Sequence, residues 1–228
     1  MPVPHRDLPR ALVSEFVGTA LLVAAVVGSG IMGQRLAGGN EGLVLLANSV
    51  ATGAVLVTLI FTFAPLSGAH FNPAVTLAAA IEGGLPWRQL PWYVAMQTTG
   101  ALVGVLVAHA MFSLPLQQFS TRVRSGPAQL FSEFIATFGL LVVVHGTGKR
   151  AAVVPITVAA YITAASWFTA STSFANPAVT LARGFTNTFA GIRLDDVPGF
   201  VLLQVAGAIS ATLLFRWLLK NEVEPQET

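Results

Sequence analysis

Cysteine is absent from this chain, and charge is scarce. Without a thiol there is no disulfide framework, no cysteine nucleophile and no thiolate metal site. Charged residues make up only 10% of the chain, where a soluble domain carries about a quarter. A hydrophobic share of 54% and a mean hydropathy of +0.71 point instead to an integral membrane protein, with the lipid bilayer as its surroundings. A net charge of +2 is too small to argue for nucleic acid, and the pI near 9.5 reflects the scarcity of acids. No metal-ligand cluster, nucleophile triad or phosphate loop is present, so neither an enzyme nor a metal or other cofactor is expected. No cleavable signal is expected, since residues 1–10 are polar and run straight into a full-length apolar stretch.

What is present is a duplication. Asn72-Pro73-Ala74-Val75-Thr76-Leu77-Ala78 returns unchanged as Asn176-Pro177-Ala178-Val179-Thr180-Leu181-Ala182. Both copies read as helix starts. Asparagine suits the N-cap, where its side-chain oxygen accepts an early backbone N–H. Proline suits the first helical position, having no N–H to leave orphaned. The apolar run from Pro73 to Ile81 stops at Glu82-Gly83-Gly84. At about ten residues it spans roughly 15 Å, half of a bilayer core of about 30 Å.

Around these half-spans the hydropathy places six full ones. They cover about Leu8–Met32, Gly42–Ala64, Tyr93–Phe112, Leu130–Gly146, Val153–Thr169 and Gly199–Leu219. Pro65–Phe71 must re-enter the membrane, and a second re-entrant segment and half-span end near Phe185. Trp87, Trp92 and Tyr93 read as an interfacial anchor. Further matches extend the repeat. Ser14-Glu15-Phe16 pairs with Ser132-Glu133-Phe134, and Gln97-Thr98-Thr99-Gly100-Ala101 with Gln204-Val205-Ala206-Gly207-Ala208. Three spans per half, an odd number, inverts the second repeat, giving repeats at about 8–113 and 128–220. The fold expected is an all-α membrane domain of six helices and two re-entrant half-helices. Cytoplasmic termini would place Arg6, Arg10, Arg88, Lys149, Arg150, Arg216 and Lys220 inside, against Arg35, Arg122, Arg124, Arg183 and Arg193 outside, a modest positive-inside bias.

Non-helical backbone at membrane depth is tolerated only if buried in protein or lining a wet cavity. Two half-helices aim positive dipole ends at the midplane, and each asparagine has amide N–H groups left over from capping. Such a centre offers donors and no carboxylate, which suits neutral hydroxylated solutes and disfavours cations.

The paired Asn-Pro-Ala motifs, the segment Ser67-Gly68-Ala69-His70-Phe71 before the first, and Glu15 and Glu133 in the first and fourth spans resemble the major intrinsic protein family, the aquaporins and aquaglyceroporins. The resemblance covers nearly the whole chain. It implies a homotetramer with one passive pore per protomer, conducting water or small neutral solutes. It also implies that carbonyls of Gly68, Ala69, His70 and Phe71, and of Thr172, Ser173, Phe174 and Ala175, line the pore. Most members carry arginine three residues after the second motif asparagine; here that residue is Val179. Counting from the same anchors, the family's narrow filter maps to Thr52, Ala164, Ser173 and Val179, with neither charge nor aromatic ring. The expectation is a wide constriction with two hydroxyls, passing glycerol, urea or undissociated arsenite. This filter resembles a bacterial subgroup associated with arsenic resistance, whose members pass arsenite or methylated arsenicals, so a bacterial plasma membrane is expected.

The alternatives are a water-selective pore refilled by Trp167, Phe168 or Phe174, and a proton-coupled transporter using Glu15 and Glu133. The plainer reading of both glutamates is that they accept N–H groups from the re-entrant loops. His70 is expected to prop its loop, His109 and His145 to pack or end spans, and Arg183 to sit on the outer rim. Gly18, Gly100, Gly104 and Gly207 read as close helix packing.

Overall fold

The computed structural model describes residues 7–148, 150 and 152–219. Its helices are α1 (Leu8–Leu36), α2 (Glu41–Ser67), α3 (Pro73–Ile81), α4 (Leu90–Met111), α5 (Pro127–Thr147), α6 (Val154–Phe168), α7 (Pro177–Arg183) and α8 (Val197–Leu218). A 3-10 turn, Leu194–Asp196, leads into α8. All of the α-helices except α2 carry proline in their first two positions, where a missing N–H costs nothing. α2 starts instead on a side-chain cap, Asn40 accepting from the Leu43 N–H at 3.1 Å. Arg6, Lys149, Lys220 and the tail Asn221–Thr228 lie outside the described residues.

Among the described residues, five helices are long and apolar enough to cross a bilayer: α1, α2, α4, α5, and α8 with its leading turn. The sixth, α6, is apolar but has 15 residues, about 22 Å at the usual rise. It ends at Phe168 because Thr169 turns extended (φ −106°, ψ 140°) and begins the second re-entrant segment. α7 stops at Arg183, two residues before the expected Phe185, where the chain turns at Gly184. α3 keeps the expected bounds, Pro73–Ile81.

The two halves pack alike. α1 lies against α2 and α4, and α5 against α6 and α8. α2 meets α6 across the halves, α3 touches α8, and α4 touches α7. The half-helices are thus each clasped by a long helix of the other repeat. The closest long-helix crossings rest on two corresponding glycines. Any Cβ at Gly100 would overlap the Phe16 carbonyl, and one at Gly207 the Phe134 carbonyl. Phe16 and Phe134 directly follow the two buried glutamates, so these approaches set how deeply Glu15 and Glu133 sit. Large apolar side chains such as Val50, Phe61, Leu202 and Leu213 remain exposed on the outside, as a lipid-facing surface requires. Trp87 and Trp92 are exposed with them, but Tyr93 is buried and its hydroxyl donates to the Ser67 carbonyl at 3.1 Å. Tyr93 therefore braces a loop and is not part of an interfacial anchor.

Substituting Gly207 by leucine forces α5 and α8 apart and is expected to cost about 1–3 kcal/mol, read as a lower melting temperature in detergent.

Candidate functional site

The site begins with two stretches of backbone that cannot satisfy themselves. Before each half-helix the chain runs through left-handed residues: Gly68 (φ 97°), Ala69 (51°) and Phe71 (49°) in the first loop, Thr172 (63°), Ser173 (52°) and Ala175 (49°) in the second. For non-glycine residues each such conformation costs of order 1–3 kcal/mol. The pattern matches position for position, so the strain belongs to the duplicated design.

Two buried carboxyl groups hold these loops. Glu15 accepts the Ser67 hydroxyl at 2.6 Å, the His70 N–H at 2.9 Å, the Phe71 N–H at 2.7 Å and the Gln97 amide at 2.8 Å. Glu133 accepts the Phe174 and Ala175 N–H groups, both at 2.9 Å, and the Gln204 amide at 2.6 Å. Each glutamine also donates at 2.8 Å to a threonine of the half-helix, Gln97 to Thr76 and Gln204 to Thr180. Those threonines donate to the carbonyls of Asn72 and Asn176. The result is a chain of contacts from span to loop to motif, built twice. Gln97 and Gln204 were visible in the sequence as part of the repeat, but spacing gave no hint of this role. The His70 ring lies beside its own half-helix, Nδ1 3.2 Å from the Thr76 hydroxyl oxygen.

The asparagines join the halves. The Asn72 side-chain oxygen caps α3 through the Ala74 N–H at 2.9 Å, and Asn176 caps α7 through Ala178 at 3.0 Å and Val179 at 3.2 Å. Their amide nitrogens cross over. Asn72 donates to the Ala175 carbonyl at 2.7 Å, and Asn176 donates to the Phe71 carbonyl at 2.8 Å. Only one N–H of each amide therefore stays unspent, where the sequence implied two. Pro73, Ala74, Pro177 and Ala178 form the first helical turns behind them.

A cavity of about 250 Å³ runs past both asparagines. At one end it reaches Ala78, Glu82 and His145; at the other it reaches Val179 and Arg183. All eight loop residues, Gly68 to Phe71 and Thr172 to Ala175, border it. Leu22, Val26, Leu56, Ile60, Leu140, Val158 and Ile162 border it from the long helices, with Asn48, Thr52 and Ser166 among them. The cavity is thus lined by irregular loop residues and by mostly aliphatic helix side chains.

Thr52, Ser173 and Val179 border the cavity, but Ala164 does not. Ala164 is exposed on the outside of α6, and Ile162 and Ser166 face inward in its place. A count of twelve from Asn176 crosses the end of α6 and an extended stretch, so it misses the inward face by two residues. Ser173 borders the cavity without its hydroxyl, whose oxygen is buried with no hydrogen-bond partner among the described residues. Trp167 and Phe168 are about half exposed and turned outward; the Trp167 indole donates to Ser49. Phe174 packs into a cluster with Ile192, Val197 and Phe200.

Three further residues depart from their sequence-based places. Arg183 is not on a rim: it is 5% exposed and borders the cavity beside Phe174. His145 is more than a packing residue, because it borders the other end of the cavity, with Nδ1 3.2 Å from Glu82 and Nε2 3.1 Å from the Thr212 hydroxyl. Arg124 lies outside any span yet is buried, and it ties three loops together. Its guanidinium donates to the carbonyls of Gly191 at 2.8 Å, Ser171 at 3.1 Å and Phe189 at 3.3 Å, while its backbone N–H donates to Asp196 at 2.9 Å. Burial, then Arg122, lowers its pKa to about 10, so it remains a cation at neutral pH. Nothing in the local sequence distinguishes Arg124 from the solvent-facing Arg122 two residues earlier. His109, by contrast, packs as expected, near the Leu116 carbonyl and the Thr186 hydroxyl.

Replacing Glu133 by glutamine puts an amide nitrogen against buried N–H donors. It is expected to destabilise the second loop by about 2–5 kcal/mol, measurable as a lower melting temperature. Aspartate, one methylene shorter, should lose less.

Comparison with known proteins agrees with this architecture. The family model described as "Major intrinsic protein" matches residues 3–162. The chain is 55% identical over 215 residues to the aquaglyceroporin AqpS of Rhizobium meliloti, covering 94% of this chain and 92% of the relative. It is 32% identical to the maize aquaporin NIP2-2, covering 96% of this chain and 74% of that one. The fold superposes on the aquaglyceroporin of Plasmodium falciparum with a TM-score of 0.70 at 18% identity, over 93% of this chain and 96% of that one. With Asn72 and Asn176 capping opposed half-helices around one cavity, the chain belongs to the major intrinsic protein family of membrane channels.

Proposed function

We propose that the cavity is a passive conduit for small neutral solutes bulkier than water: glycerol, urea, undissociated arsenite or methylated arsenicals, with water passing as well. The observation that carries this reading is the side chain at position 179. Valine there is apolar and 5% exposed, and it borders the cavity with Thr52 and Ser166. That ring, with the Ser173 backbone, is the proposed selectivity filter, and it leaves room that an arginine would fill. The mixed lining supports the reading. Carbonyls of the eight loop residues serve as acceptors for hydroxyls, while the aliphatic side chains tolerate a carbon backbone. Asn72 and Asn176 each contribute one remaining N–H to the solute. A relative of similar length carries the name aquaglyceroporin.

A water-selective pore is less well supported, because Trp167 and Phe168 turn away from the cavity. A proton-coupled transporter is disfavoured because both carboxyl groups, Glu15 and Glu133, are committed to loop N–H groups.

The protein is proposed to work as a homotetramer in a bacterial plasma membrane with cytoplasmic termini. Seven cations on the cytoplasmic side against five on the other support that orientation modestly.

Stopped-flow swelling of proteoliposomes tests the filter. Val179→Arg is expected to cut glycerol, urea and arsenite flux about tenfold and water flux less than about threefold. Unchanged solute flux would remove Val179 from the constriction.

A further inference from the structure

Val179 leaves the wall without charge at its own level, but the same half-helix carries a guanidinium one turn on. Arg183 follows Val179 by four residues, so the two lie on one helix face, and both border the cavity. The Arg183 Nε donates to the Ala190 carbonyl. Its Cζ lies 3.3 Å from the centre of the Phe174 ring. That ring is in turn backed edge-on by Phe200, with centroids 5.3 Å apart. An aromatic face attracts a guanidinium and here also blocks its retreat from the cavity.

No carboxylate pairs with Arg183 among the described residues, and its two terminal nitrogens have no hydrogen-bond partner there. A buried guanidinium with no ion-pair partner and a single carbonyl for its five N–H groups is costly to keep dry. The contents of the cavity must therefore solvate it. Arg124 reinforces the charge from behind, its Cζ 4.9 Å from the same ring, without bordering the cavity. Two cations on one aromatic ring, with a single open side, concentrate positive potential at the α7 end of the cavity.

We infer that Arg183 is the charge-selecting residue of this pore, excluding cations and protons from one helical turn beyond the constriction that Val179 leaves wide. Width and charge are then set by different side chains, where a single arginine at position 179 would set both. A neutral solute with hydroxyl oxygens can accept from the Arg183 terminal nitrogens as it passes. A hydrated cation meets fixed charge of its own sign. This assignment rests on the channel reading above.

The absence of cysteine makes the test direct. Arg183→Cys introduces a single thiol into full-length protein reconstituted in liposomes, with glycerol swelling, potassium leak and proton leak recorded together. The ratio of cation leak to glycerol flux is expected to rise about fivefold or more. A cationic aminoethyl thiosulfonate should reverse most of that rise, and a neutral reagent of similar size should not. An unchanged ratio overturns the assignment, as does equal reversal by both reagents, which would show that bulk acts and not charge. Arg183→Gln, which keeps an amide donor and removes the charge, decides the matter if Arg183→Cys does not assemble. Its ratio of cation leak to glycerol flux is expected to rise about fivefold; an unchanged ratio shows that the charge at this position selects nothing. Those outcomes leave the channel reading standing. Wild-type vesicles that swell no faster than protein-free ones would end that reading, and this assignment with it.

Discussion

Backbone that is neither helix nor strand cannot survive in a membrane unless something answers its N–H groups. This constraint governs the whole molecule. Glu15 and Glu133 meet it, each taking two consecutive loop N–H groups with its carboxyl oxygens. Because the donors point at the glutamates, the carbonyls of the same peptide units are turned away from them, and the loop residues border the cavity. Left-handed conformations at Ala69, Phe71, Ser173 and Ala175 complete the turn. The strain of those conformations is offset by hydrogen bonds to a charged acceptor group, which are stronger than neutral ones. Helix packing serves the same end, since Gly100 and Gly207 let the glutamate-bearing spans approach closely enough to reach the loops.

From that constraint the mixed lining of the cavity follows. Part of it must be loop, because the loops exist to carry polar backbone to the midplane. The rest is helix, whose own backbone is already satisfied and which presents mostly aliphatic side chains. A solute with both hydroxyls and carbon matches both parts. The midplane asparagines sit where the two loops meet, and they are positioned by helix caps rather than by side-chain packing.

Much of this was legible in the letters of the chain. The duplication of Asn72–Ala78 at Asn176–Ala182 gave two half-helices, and an asparagine followed by proline gave their start. The paired glutamates extended the repeat, and the odd number of spans per half gave the inversion. Short-range rules failed wherever a position depended on a path through irregular backbone. Ala164 was reached by counting through the end of α6, and the inward residue proved to be Ser166. Arg183 was placed by its distance from Asn176 along the helix, which ignores where the Phe174 ring would stand. Arg124 had no periodic or motif signal at all. Its burial comes from carbonyls at Ser171, Phe189 and Gly191, which only folding brings together. Tyr93 looked interfacial because tyrosine favours that zone, yet its neighbour Trp92 alone faces out.

The crossed bonds of the two asparagines carry a consequence for how the chain is made. Asn72 finds its acceptor 103 residues downstream, and Asn176 finds its own 105 residues upstream. The amino-terminal repeat therefore leaves the ribosome with its central loop unfinished, and it waits for the carboxy-terminal repeat to arrive from the opposite face. Neither repeat alone can supply the acceptor that its own midpoint asparagine uses.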